Sequence, residues 1–151
     1  VPDDLPFVDE FEVLIEASAG EVFLCAAARI GRSLEGQGAR VFARLLGCAH
    51  RGASYTVPPV EGQETNGFRV AEVKHPKKLV MEGEHRFARY RLSFLIEPLA
   101  EKRALLRART EAAFPGVLGK AYRALVIGSG GHEVVVHRML ASIAKRAEGS
   151  R

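Results

Sequence analysis

A chain of 151 residues, 47% of them hydrophobic, is the size of one ordinary domain and buries about 70% of its unfolded surface without a structural metal or disulfide. The net charge of +4 and the pI near 9.3 invite a nucleic-acid reading. Against it, 16 of the 22 basic residues are arginines scattered along the chain, and the one tight cluster, Lys74-His75-Pro76-Lys77-Lys78, falls in a turn.

No apolar run reaches the roughly 18 residues of a membrane span, and the opening Val1-Pro2-Asp3-Asp4 has no basic n-region. Cys25 and Cys48 sit among Ala, Leu and Gly with no disulfide spacing, so buried free thiols and a cytoplasmic location are expected. Aspartate occurs only at Asp3, Asp4 and Asp9, which removes an EF-hand loop, an Asp-based triad and an Asp-rich magnesium site from the body of the domain.

From Phe7 to Glu16 apolar side chains at Phe7, Phe11, Val13 and Ile15 alternate with glutamates, which predicts a half-buried strand with its odd side toward the core. Ser18, three residues before Glu21, is a capping-box start for a helix over Val22–Ala28. Gly31, Gly36 and Gly38 then predict a break, and a second short helix is expected over Ala39–Leu46, closed by Gly47. The middle third reads as an antiparallel meander. Asn66-Gly67 predicts a two-residue type I′ hairpin, and strands are expected over Phe68–Lys74, Leu79–Gly83, Phe87–Glu97 and Ala104–Ala113. In the longest of these, Ala88, Tyr90, Leu92, Phe94 and Ile96 should face inward. The opposite face carries Arg89, Arg91, Arg107 and Arg109, expected to pair with Glu82, Glu84 and Glu111.

After Phe114-Pro115-Gly116, residues Leu118, Ala121, Tyr122, Leu125, Ser129, His132, Val136, Met139, Leu140, Ile143 and Ala147 fall on one face at 100° per residue. The phase continues through Gly128-Ser129-Gly130-Gly131, which predicts one helix of about 30 residues, kinked at most. The whole reads as a single α+β domain over residues 1–151, with only the last few loose: a curved antiparallel sheet around a long C-terminal helix, with two short helices after the first strand.

Two blocks carry a resemblance. Phe11-Glu12-Val13-Leu14-Ile15-Glu16-Ala17-Ser18-Ala19-Gly20-Glu21-Val22-Phe23 is similar to the first strand and first helix start of the helix-grip superfamily, which includes START domains, polyketide cyclases and pollen-allergen-like proteins. Phe114-Pro115-Gly116-Val117-Leu118-Gly119-Lys120-Ala121-Tyr122-Arg123, with Arg138-Met139-Leu140, resembles the long helix of its small bacterial members of uncharacterised function. The resemblance implies a cavity that takes sterols, lipids, polyketides or hormones, and it does not imply a reaction.

A lipophilic small molecule is therefore the expected ligand, held between sheet and helix by Phe11, Met81, Leu92, Phe94, Leu106 and Leu125. Tyr90, Thr110, Tyr122, Ser129 and His132, with His85, would orient it. An enzyme is the alternative, a cyclase, dehydratase or isomerase acting on a polyketide-like or steroid-like ketone, with His132 as acid or base and Tyr90 or Tyr122 polarising the carbonyl. A third reading is a protein-interaction module with a collapsed cavity. No cofactor and no metal are expected. Gly128-Ser129-Gly130-Gly131 lacks the strand and later acidic residue of a dinucleotide fingerprint, and His132 and His137, five apart, point about 140° from one another around a helix. Ile127, Val134 and Val135 on the helix back are a candidate homodimer contact.

Overall fold

The computed structural model describes residues 4–149; the expected loose end at 150–151 lies outside the described residues. Strand β1 (Phe7–Ile15) is followed by helices α1 (Ala19–Leu34) and α2 (Gln37–Leu46). Strands β2 (Glu64–Thr65), β3 (Phe68–Lys74), β4 (Lys78–His85), β5 (Ala88–Ala100) and β6 (Arg103–Ala113) come next, then helices α3 (Gly116–Val126) and α4 (Gly131–Gly149). The six strands form one antiparallel sheet in the order β1-β6-β5-β4-β3-β2, so the first and last strands lie side by side.

Pairing alternates side chains between two faces, and the expected inner faces hold on β5 and β6. Phe94, Ile96, Ala104, Leu106 and Ala108 are buried beneath α1 and α4. Three register shifts, at Phe7/Asp9, Val70/Glu72 and Pro98/Ala100, bend the sheet. The first also corrects the reading of β1. Beyond the bulge Phe7 pairs with Glu111 on the outer face, where it is exposed under the Arg109 guanidinium, while Asp9 pairs with Thr110 on the inner face.

Ser18 caps α1 as expected, its hydroxyl accepting the Glu21 N–H at 3.2 Å. The helix does not stop at Ala28 but runs through Gly31 to Leu34. Gly31 is there for closeness: a Cβ would stand 3.0 Å from the Tyr55 ring, whose hydroxyl donates to the Ala27 carbonyl at 2.7 Å. Gly47, at φ 68, closes α2 in the left-handed conformation. The Asn66-Gly67 turn is not type I′, because only Gly67 has positive φ (86°) and Asn66 instead donates its side-chain amide to the Leu34 carbonyl at 2.7 Å.

The C-terminal stripe is not one continuous helix. Ser129 turns its hydroxyl back onto the Leu125 carbonyl, Gly130 takes φ 80, and the chain restarts as α4. α4 remains a long C-terminal helix of 19 residues, with Val136, Leu140, Ile143, Ala144 and Ala147 in the core. Its end is fixed by Glu148, which accepts the Glu16 N–H at 2.9 Å. On the outer face Arg89 pairs with Glu84, and Arg91 with Glu82 and Glu111; Arg109 also reaches Glu111, while Arg107 uses Glu12 and Glu97. No helix among the described residues is long and apolar enough to cross a membrane.

Candidate functional site

The space between sheet and helices is filled at one end and open at the other. Along β5 the division falls between Leu92, which lines a cavity, and Phe94, which is fully buried in the core. Along β6 it falls between Thr110 and Ala108, and along α4 between Val135 and Val136. α3 stands off the sheet and creates the open end. Its one buried residue is Gly119, where a Cβ would lie 2.7 Å from the Phe114 backbone carbon and 3.1 Å from the Phe87 carbonyl oxygen. That close approach at the start of α3 leaves Tyr122, Leu125 and Val126 arching over a cavity of about 600 Å³, closed on the other side by Phe42, Ala43 and Leu46 of α2.

Of the residues expected at the site, Tyr90, Leu92, Thr110, Tyr122, Leu125 and His132 line this one cavity. Met81, Phe94 and Leu106 do not; they are fully buried in the packed half. Phe11 packs beside that core with its ring 4.4 Å from His137. Ser129 is exposed, its hydroxyl spent on the Leu125 carbonyl in the break between α3 and α4. Ile127 and Val135, read as the back of the helix, line the cavity instead, and Val134 is 49% exposed.

The wall is mostly apolar; besides Asn66 and Arg91, its polar groups sit at two places. At the first, the Phe87 N–H donates to His85 Nδ1 at 3.1 Å, which makes Nδ1 the acceptor and puts the proton of the neutral ring on Nε2. Burial holds the His85 pKa below its ordinary 6.5, so the ring is neutral near pH 7. The Tyr122 ring stands edge-on to it, centroids 4.8 Å apart, and stacks on Phe87. His85 Nε2 and the Tyr122 hydroxyl make no hydrogen bond with a described residue and are not sealed from solvent. Both are donors available to a ligand. Tyr90, expected to polarise a carbonyl, is committed otherwise: its hydroxyl donates to the Gly67 carbonyl at 2.6 Å and contacts the Cys48 thiol, and burial raises its pKa far above 10.

At the second place His132 Nε2 lies 3.1 Å from Thr110 Oγ1 and 3.4 Å from Asp9 Oδ2, while Asp9 Oδ1 is buried with no hydrogen-bond partner among the described residues. Asp9 was missed because it stands at the other end of the sequence from His132; the one available signal was a carboxylate at an inward odd position of β1. Among the described residues no three His, Cys, Asp or Glu side chains converge as a metal site would require, and His50 Nδ1 is paired with Glu64 at 3.0 Å.

His85 gives a testable pH dependence. Its folded pKa is depressed, so the unfolded chain binds more protons as pH falls below 6.5. The stabilisation is present above 6.5 and is lost as pH drops toward the folded value. Urea denaturation from pH 7.5 to 5 should show that decline, and His85→Gln should flatten it; an unchanged slope would place the sensitivity elsewhere.

No family model matches the sequence, and no match is found among curated proteins. Solved structures do match. The chain is similar to a point mutant of norcoclaurine synthase from Thalictrum flavum in complex with a transition-state analogue, at 14% identity and TM-score 0.56, over 98% of this chain and 100% of that one. The fold is helix-grip. A protein from Chromobacterium violaceum shares it at 9% identity and TM-score 0.59, over 93% of this chain and 96% of that one. So does the di-domain ARO/CYC BexL from the BE-7585A biosynthetic pathway, at 16% identity and TM-score 0.55, over 93% of this chain. This chain spans about half of BexL, 46% of its length. At these identities the likeness bears on the helix-grip fold alone.

Proposed function

We propose that this protein binds a lipophilic small molecule, a lipid, sterol-like or polyketide-like compound, in the cavity beneath α3. The observation that carries the reading is the cavity itself: about 600 Å³, with walls of Phe42, Phe68, Leu92 and Leu125 and a few donors at His85 and Tyr122. Binding sites for small organic ligands are typically concave, of about 300–1,000 Å³, mostly apolar, with a small number of polar groups that fix orientation. Burial of ligand area contributes roughly 25 cal/mol per Å² before the costs of association.

Native mass spectrometry of freshly purified protein, followed by organic extraction, tests it. A stoichiometric lipophilic adduct is expected, and it should disappear in Ala112→Trp, which places an indole where Ala112 now lines the cavity. An adduct retained by that variant at full occupancy would put the ligand elsewhere.

The enzyme reading, a cyclase, dehydratase or isomerase acting on a ketone, is favoured by one observation: two uncommitted donors, His85 Nε2–H and the Tyr122 hydroxyl, stand in the same apolar cavity. Once a ligand is known, Tyr122→Phe and His132→Ala should abolish turnover and keep binding if this reading holds; a carrier has no turnover to lose.

A further inference from the structure

Next to the apolar cavity lies a second pocket of about 520 Å³ with the opposite chemistry. Arg40 and Arg44 line it from α2, four residues apart and so on one side of that helix. Arg51 joins them through its backbone bridge to Asn66. None of these three guanidinium groups makes a hydrogen bond or ion pair with a described residue, in contrast to the paired arginines of the outer sheet face. Thr65 also lines the pocket; it is 1% exposed, and its hydroxyl has no hydrogen-bond partner among the described residues.

The charge is sustained by the sequence. Residues 36–60 and 112–132, which supply α2, Arg51 and α3, contain no Asp or Glu. Among the described residues Glu35 is the one carboxylate lining the pocket, so three cations face one anion there, an imbalance that suits a doubly charged phosphate better than a carboxylate. The two concavities adjoin. Asn66 lines both, and α2 turns Phe42, Ala43 and Leu46 to the cavity and Arg40 and Arg44 to the pocket.

We propose that the arginine pocket holds the phosphate group of a ligand whose apolar part occupies the cavity. The apolar half of this statement rests on the function proposed above; the phosphate half rests on Arg40, Arg44, Arg51 and Thr65. Isothermal titration of the whole chain with octyl phosphate, octanol and inorganic phosphate tests the halves separately.

Octyl phosphate should bind at least tenfold tighter than octanol at low salt, and the gap should narrow as sodium chloride is raised. The double variant Arg44→Gln/Arg51→Gln should bring octyl phosphate to the octanol level and leave octanol unchanged, which also shows that the variant is folded. Equal affinities for the two octyl compounds, or a gap that survives the double variant, overturns the phosphate pocket while the cavity reading stands. Inorganic phosphate bound with the same arginine dependence, and with no gain from the octyl chain, identifies a free phosphate and overturns the pairing with the cavity. Failure of both octyl compounds to bind overturns the cavity reading and the pairing with it.

Discussion

Replacing Phe94 by alanine is expected to lower the unfolding free energy by about 3–5 kcal/mol, whereas Leu125→Ala should change it by less than about 0.5 kcal/mol. Both are large apolar residues that sequence periodicity places on the same sheet-to-helix interface. Phe94 has no exposed surface and belongs to the same core cluster as Phe23, Met81, Leu106 and Ile143, so removing its phenyl ring leaves a void among buried neighbours. The cost is then the lost transfer free energy together with that of the void. Leu125 is 71% exposed and hangs over the cavity, so truncating it removes little that folding buries. Urea denaturation with an unchanged m-value would measure both. Comparable losses at the two positions would mean that α3 packs down on the sheet and that the cavity is not open.

That contrast marks where sequence reading ran out. The alternation along β5, the Ser18 cap, Gly47 after α2 and the order of elements were legible because each depends on residues close together in the chain. Which of the inward residues line empty space was not. Periodicity reports which side of a strand or helix is inside, and Phe94 and Leu92 are equivalent by that measure; what separates them is how far α3 is held from the sheet by the Gly119 contact. The stripe through Gly128-Ser129-Gly130-Gly131 stayed in phase and still broke, because phase does not record that the Ser129 hydroxyl competes for the Leu125 carbonyl. Gly31 looked like a helix end and is instead a place where a ring lies against backbone. The pairing of Asp9 with His132 and the facing of Arg51 toward Arg40 and Arg44 come from tertiary contact between distant segments. No local pattern encodes either.

Gly83→Ala is the second substitution with a large expected effect, about 3 kcal/mol of destabilisation, although it adds a single methyl group. Gly83 lies in β4 directly opposite Tyr90 of β5, on the inner face, and the Asn66-Gly67 turn folds over it. A Cβ at that point would overlap the Gly67 carbonyl oxygen and stand 2.5 Å from Tyr90 Cε2 and 2.7 Å from its hydroxyl. Backbone and a hydrogen-bonded ring cannot yield as the end of a flexible side chain can. Relief requires either the turn to lift or the Tyr90 ring to swing away, and both break the 2.6 Å bond from the Tyr90 hydroxyl to Gly67. Tyr90→Phe isolates that bond and should cost about 1–2 kcal/mol, since it leaves a largely buried carbonyl unpaired without adding volume. The excess of Gly83→Ala over Tyr90→Phe then measures the steric part. Because Gly67, Phe68 and Tyr90 all line the cavity, the alanine variant should also weaken retention of any lipophilic adduct, while Tyr90→Phe leaves the cavity shape intact. A Gly83→Ala protein as stable as the parent would show that the turn does not lie over β4, and the cavity wall would have to be redrawn on that side.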